Sequence, residues 1–214
     1  MNASIAVIVD ISRSKEHEDR VALQRTVEHA LAQAGERVAA RQPFVPTVGD
    51  EFQAVFADLP AALLASLLVR LELPAGVDCR FGLGFGAVRE IGAGPNVPLQ
   101  DGPGWWAARA AIDRARAHEY ARLPELRTWF AVGGTRDHAP DEALVNAYLL
   151  GRDHLVGKMS DRGRRLLLGK LSGRTQRELA EREGVSASAV SQTVRAQGVL
   201  AVFEGQRLMT EVLG

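Results

Sequence analysis

Between Cys79 and Val88, glycine occupies positions 82, 84 and 86, with Phe81, Leu83 and Phe85 in between. Period-two alternation is the mark of a β-strand, whose successive side chains point to opposite faces. One face of this strand is therefore bare. A strand gives up its side chains in that way where another part of the chain packs or passes close to it. Any fold of this chain has to set something against that face.

The flanking segments supply candidates. Ser4–Asp10 is a buried strand, because Ile5, Val7 and Val9 are β-branched and Ala6 and Ile8 between them are also apolar. A helix is expected from about Lys15 to Ala40, with Val27, Ala30, Leu31, Ala34 and Val38 on one stripe. Phe44–Val48 and Phe52–Phe56 read as strands joined by the turn Gly49-Asp50-Glu51, and Leu59–Leu71 as a strongly apolar helix. Glu90–Pro103 is rich in glycine and proline and reads as a long loop. Beyond it come a helix at Trp105–Tyr120, a strand at Thr128–Val132 and a helix at Ala143–Val156. The order βαββαβ, then αβ and α, is that of a ferredoxin-like split βαβ sheet. This is an α+β, antiparallel-dominated sheet with helices. In it the first two strands run parallel with the third between them, so Asp10 and Asp50 meet at one edge.

Two carboxylates at adjacent strand ends repel, and a divalent cation between them relieves the repulsion. The expectation is Mg²⁺ (or Mn²⁺) on Asp10 and Asp50, with Ile11, Ser12, Arg13 and Ser14 around phosphate oxygens at a helix start. Gly49 makes the turn and Glu51 is an auxiliary acid. The bland alternative is that Asp50-Glu51 is turn chemistry and Asp10 a helix cap. Trp105 and Trp106 either stack on a base or serve as a core ring and a helix-start anchor or dimer contact.

Composition narrows the function. Lys plus Arg and Asp plus Glu both number 26, which excludes a uniformly basic nucleic-acid coat protein. Cys79 is the single cysteine, so neither an internal disulfide nor a cysteine-rich zinc module is available. No apolar run nears the roughly 20 residues of a membrane span. The first residues lack the basic stretch of a signal peptide, so a cytoplasmic protein with no membrane partner is expected. From Met159 onward, however, nine bases face six acids. That local excess coincides with a motif. Thr175 with Glu178 forms a capping box, Gly184 ends the helix, and Ser186 caps a second helix whose Val190 and Val194 point inward. Ala187, Ser188, Ser191, Gln192 and Arg195 are left outward, short and polar enough to enter a DNA groove. Arg174, Arg177 and Arg182 could touch phosphates, beside Thr175 and Gln176. The alternative is a helical pair used for protein contacts. Asp161–Leu171 is the supporting helix.

VIVDIS, followed about 40 residues later by TVGDEFQAVF, resembles the palm of class III nucleotide cyclases, and Gly49–Phe52 equally resembles the diguanylate cyclase hairpin. RFGLGFGAV and WWAARAAIDRA resemble two further cyclase segments in the same order, over roughly residues 4–132. The resemblance implies metal on Asp10 and Asp50 and places Arg109 on the arginine that stabilises the reacting phosphate. Trp105 and Pro46 stand where the ribose-positioning asparagine and base-reading lysine are found. The implied site is intact for metal and triphosphate and rebuilt for base and ribose. Residues 160–200 resemble the helix-turn-helix of sigma-factor region four and bacterial repressors. The whole chain resembles the SatD family: a cyclase-like palm over 1–157 and an all-α helix-turn-helix domain over 158–214. What this implies is an intracellular, dimeric, DNA-binding transcription regulator. Its palm would bind a nucleoside triphosphate or nucleotide second messenger, with no catalytic residue assigned. An active cyclase or nucleotidyl transferase with accessory helices is the alternative.

Overall fold

The computed structural model describes residues 3–47, 49–94, 97–134 and 138–213. It is a mixed α/β structure on a mixed five-stranded sheet. β1 (Ser4–Ile11) is buried throughout and lies at the centre. It is antiparallel to β3 (Glu51–Phe56) on one side and to β4 (Cys79–Gly86) on the other. β2 (Gln42–Pro46) makes one edge, antiparallel to β3, and β7 (Thr128–Val132) the other, parallel to β4. The order β2-β3-β1-β4 is the one the split βαβ reading requires. β1 is apolar at successive positions because helices cover both its faces.

The two faces are divided by residue parity. Ile5, Val7, Val9 and Ile11 pack in one core with α1 (Arg20–Arg37), α2 (Leu59–Glu72) and α4 (Glu142–Lys158). Ala6 and Ile8 pack on the opposite face against Ala108 and Ile112 of α3 (Pro103–Ala121). α3 is what lies on the bare strip of β4. A Cβ at Gly82 would stand 2.2 Å from the Ala108 carbonyl oxygen, and one at Gly84 would stand 2.1 Å from that of Gly104. The helix backbone rests directly on the strand.

Several boundaries differ from expectation. α1 starts at Arg20 rather than near Lys15, because the Asp19 carboxylate caps it, accepting from the Ala22 N–H at 2.9 Å. Before it, Arg13 takes a left-handed conformation (φ 54°) and Ser14–Glu16 form a single 3₁₀ turn. Residues 11–14 therefore do not open a long helix. β2 begins two residues early, with Pro43 and Pro46 on an edge strand where their missing N–H groups are tolerated. Val48, the expected end of that strand, lies outside the described residues. The long loop contains a small hairpin of β5 (Arg89–Gly92) and β6 (Leu99–Asp101).

Four helices complete the chain: α5 (Asp161–Leu171), α6 (Gln176–Glu183), α7 (Ala187–Ala196) and α8 (Val199–Leu213). Leu166, Leu167, Val199 and Val202 share one cluster with Leu67 and Leu71 of α2. Among the described residues, no helix is long and apolar enough to cross a membrane.

Candidate functional site: an arginine-lined cleft at the end of the central strand

Asp10 follows Ala6 and Ile8 on the α3 face of β1, and the register sets it beside Glu51 of β3 and Arg80 of β4. A cleft of about 470 Å³ opens there, with Asp10 and Asp50 both in its wall. The two aspartates thus meet at one edge of the sheet, as the topology predicts.

Their surroundings are not those of a metal site. Arg80 Nε donates to Asp10 Oδ1 at 2.7 Å, and Arg116 Nη2 donates to Asp10 Oδ2. Arg80 also donates from Nη1 to Glu119 Oε2 at 2.7 Å, and the Ser12 hydroxyl donates to Glu119 Oε1 at 2.8 Å. Burial works against the charge on Arg80, yet its bonds to Asp10 and Glu119 outweigh that and hold the guanidinium more firmly protonated than usual. Glu51 is paired in turn, by two bonds of 2.7 and 2.8 Å from Arg109. Those bonds raise the Arg109 pKa. Each Asp10 oxygen already accepts a guanidinium bond, and no group of three or more potential ligands occurs among the described residues. The donor set as it stands does not fit Mg²⁺ or Mn²⁺.

The phosphate cradle also changes. The Ser12 N–H donates to the Asp78 carbonyl at 2.9 Å and its hydroxyl is spent on Glu119, so Ser12 is structural. Ile11 is a core residue of β1 at 2% exposure. Arg13 and Ser14 do reach the cleft. Gly49, at φ 74°, makes the turn into β3. Arg109 and Glu51 hold each other.

Sequence reasoning missed Lys15, Arg80, Arg116 and Tyr120, all in the cleft wall. A signal was present. Arg80 is a charge in a strand otherwise apolar or glycine, and Arg109, Arg116 and Tyr120 recur at helical spacing on α3. Of the two tryptophans, Trp105 is a core ring and Trp106 is exposed, its Nε1 donating to Asp101 of β6 at 2.9 Å.

At the other end of the chain the helical pair has the expected local geometry. Thr175 and Glu178 form the reciprocal capping box, Gly184 is left-handed at φ 63°, and Ser186 accepts from the Ala189 N–H at 3.2 Å. Leu179, Ala180, Val190 and Val194 are buried, while Ala187, Ser188, Gln192 and Arg195 are exposed. Four residues differ from the sequence reading. Gln176 donates to the Ala187 carbonyl at 2.9 Å and to the Ser191 hydroxyl at 2.6 Å, so both side chains join α6 to α7. Arg174 is half-buried and, with Arg182, lines a separate cleft against α2. Arg177 is the fully projecting base of α6, its side chain 86% exposed.

The profile of the SatD family matches residues 4–213. The chain belongs to the SatD family. No curated protein matches it. Among solved structures, two of a bacterial light-regulated adenylyl cyclase are similar at 18% identity, with TM-scores of 0.44 and 0.45. Each match covers 60% of this SatD-family chain and 42% of the cyclase. The adenylyl cyclase CyaB from P. aeruginosa is similar at 14% identity over 56% of this chain and 81% of its own, with a TM-score of 0.40. The chain thus spans less than half of the light-regulated cyclase. Likenesses this slight carry no function across.

Proposed function

We propose that this SatD-family chain is a nucleotide-responsive DNA-binding regulator, acting as a homodimer. One observation carries the reading: the cleft offers an anion site without a metal. Four bases of the wall, Arg13, Lys15, Arg80 and Arg116, face three acids, Asp10, Glu16 and Asp50; Asp10 is already neutralised by Arg80 and Arg116, while Arg13 and Lys15 stand exposed and make no ion pair among the described residues. Guanidinium and ammonium groups suit phosphate. Tyr120, 67% exposed on that wall, offers a ring face for a base. The exposed face of α7 supports the DNA half, with Gln192 able to pair with an adenine edge and Arg177 with backbone phosphate. A SatD-family dimer would present two such faces to operator half-sites.

The test measures nucleotide binding by calorimetry, with EDTA and with Mg²⁺ or Mn²⁺, and analyses the mixtures for product. Bound, intact nucleotide in EDTA supports the regulator, and Arg13→Gln with Lys15→Gln should weaken it. Gel shifts on genomic fragments, with and without the bound nucleotide, test the DNA half. Gln192→Ala should cost about 1–3 kcal/mol at the specific site and little on random DNA. Arg177→Ala should weaken both and lower the salt slope by about one ion. No shift at low salt removes the DNA reading.

A second reading keeps its place because Asp10 and Asp50 do share one cleft. In it the half-exposed Arg116 swings away and the chain is a nucleotide cyclase or nucleotidyl transferase. Metal-dependent product lost in Asp10→Asn decides for it.

A further inference from the structure

A second cleft, of about 410 Å³, lies at the seam between the end of α2 and the helices α5 and α6. That volume falls in the range of small-molecule sites, roughly 300–1,000 Å³. Buried Leu71, Leu73 and Leu179 and half-buried Leu168 make an apolar floor. Arginines make the rim. Two are engaged: Arg165 donates to both oxygens of Glu183 at 2.8 and 2.7 Å, and Arg164 donates to the carbonyls of Arg70 and Leu73 at the end of α2. Glu72, also in the wall, is held by Arg37 at 2.9 Å. The acids of the cleft are thus answered by arginines, apart from Asp161 in the first turn of α5, where the helix N-terminus favours its charge.

Arg174 and Arg182 remain. Neither makes an ion pair among the described residues, and both line the cleft above the leucine floor. Arg164 in the same wall is partly desolvated, and burial lowers its pKa. Two free guanidinium groups beside an apolar surface match a ligand with a doubly charged phosphate at one end and an apolar body at the other.

We propose that this seam binds a small phosphate monoester carrying an apolar body, with the phosphate on Arg174 and Arg182 and the body on Leu71, Leu168 and Leu179. The site is distinct from the cleft at Asp10 and does not rest on the function proposed above. It joins α2 to α6, so its occupant ties the α/β layer to the C-terminal helices.

The test uses phenyl phosphate and inorganic phosphate on the full chain. Calorimetry should show phenyl phosphate binding more tightly than inorganic phosphate, because only the former covers the leucines. Arg174→Gln with Arg182→Gln should weaken phenyl phosphate by about tenfold or more, the loss expected for charge-assisted hydrogen bonds. Arg207→Gln, an α8 residue in neither cleft, should leave it unchanged. Phenylglyoxal labelling of the wild-type chain, mapped by mass spectrometry, gives a readout that needs no variant: phenyl phosphate should protect Arg174 and Arg182. The proposal is overturned if those two label equally with and without the probe, or if protection falls on Arg116 instead. Equal affinity for the two probes overturns the apolar part of the ligand.

Discussion

Asp153 is wholly buried, and each of its oxygens is committed. Oδ2 accepts the N–H groups of Arg127 and Thr128 at 2.8 and 2.6 Å, which fixes the start of β7. Oδ1 faces Arg70 and Arg152, both at 3.0 Å. Replacing it with Asn would turn a donor group toward other donors and leave buried guanidinium charge unanswered. Asp153→Asn should therefore cost about 3–5 kcal/mol, read from the urea unfolding midpoint. Arg70 continues the chain of charge to Asp78 at 2.9 Å, and Arg127 reaches Asp78 at 3.1 Å. Burial alone would raise the Asp78 pKa, but these arginines outweigh it and hold the carboxyl below its ordinary 3.8. The folded chain thus takes up this proton at lower pH than the unfolded chain does. The stabilisation is complete above the ordinary value and is lost as pH falls through the lowered one. Asp78→Asn should flatten the acid limb of a stability–pH curve below about pH 4. An unchanged slope would mean that the pair contributes nothing. None of this network was legible in the sequence, where its members are scattered from residue 70 to residue 153. Charge pairs of that separation are set by which strands become neighbours, and spacing along the chain does not show it.

At the scale of the element, the union of β4 and α3 was half legible. The alternating glycines said that a face was occupied, and the structure shows α3 backbone occupying it. The consequence is a sharp contrast among glycines. An alanine methyl at Gly82 or Gly84 would meet backbone oxygen at 2.2 or 2.1 Å, and backbone cannot step aside as a side chain can. At Gly92 of β5 nothing lies within 4 Å. Gly82→Ala should give no soluble protein or a greatly lowered melting temperature, whereas Gly92→Ala should leave melting almost unchanged. Circular dichroism melts of the pair test this, and similar melts would mean that α3 does not sit on β4 as described. The same union explains why the candidate site was only partly read. Asp10 and Asp50 follow from strand order alone. Arg80 and Arg116 enter because α3 lies close enough to bring Arg116 over the end of β1, and that distance is fixed by glycine packing.

Across the whole molecule, the helical pair α6 and α7 was legible because caps and turn glycine act over a few residues. Its attachment was not. α2 was read as strongly apolar, and the meaning of that excess lies in its two buried sides. Leu63 and Leu68 face the sheet core, while Leu67 and Leu71 join Leu166, Leu167 and Val199. A helix apolar on all sides is one that is covered on all sides. A C-terminal unit that folded by itself would melt separately from the sheet and its helices. A unit sharing the core of α2 melts with it. Leu67 is 0% exposed, and Leu67→Ala should destabilise the chain by about 2–5 kcal/mol. The loss should appear in one transition that includes both the sheet and the C-terminal helices. Hydrogen exchange followed by mass spectrometry reads the two parts independently. In Leu67→Ala, peptides from β1 and from α7 should lose protection together and by the same free energy, because the helix removed from one core is also the wall of the other. Loss of protection in α7 alone would instead mean two independent domains divided near residue 158.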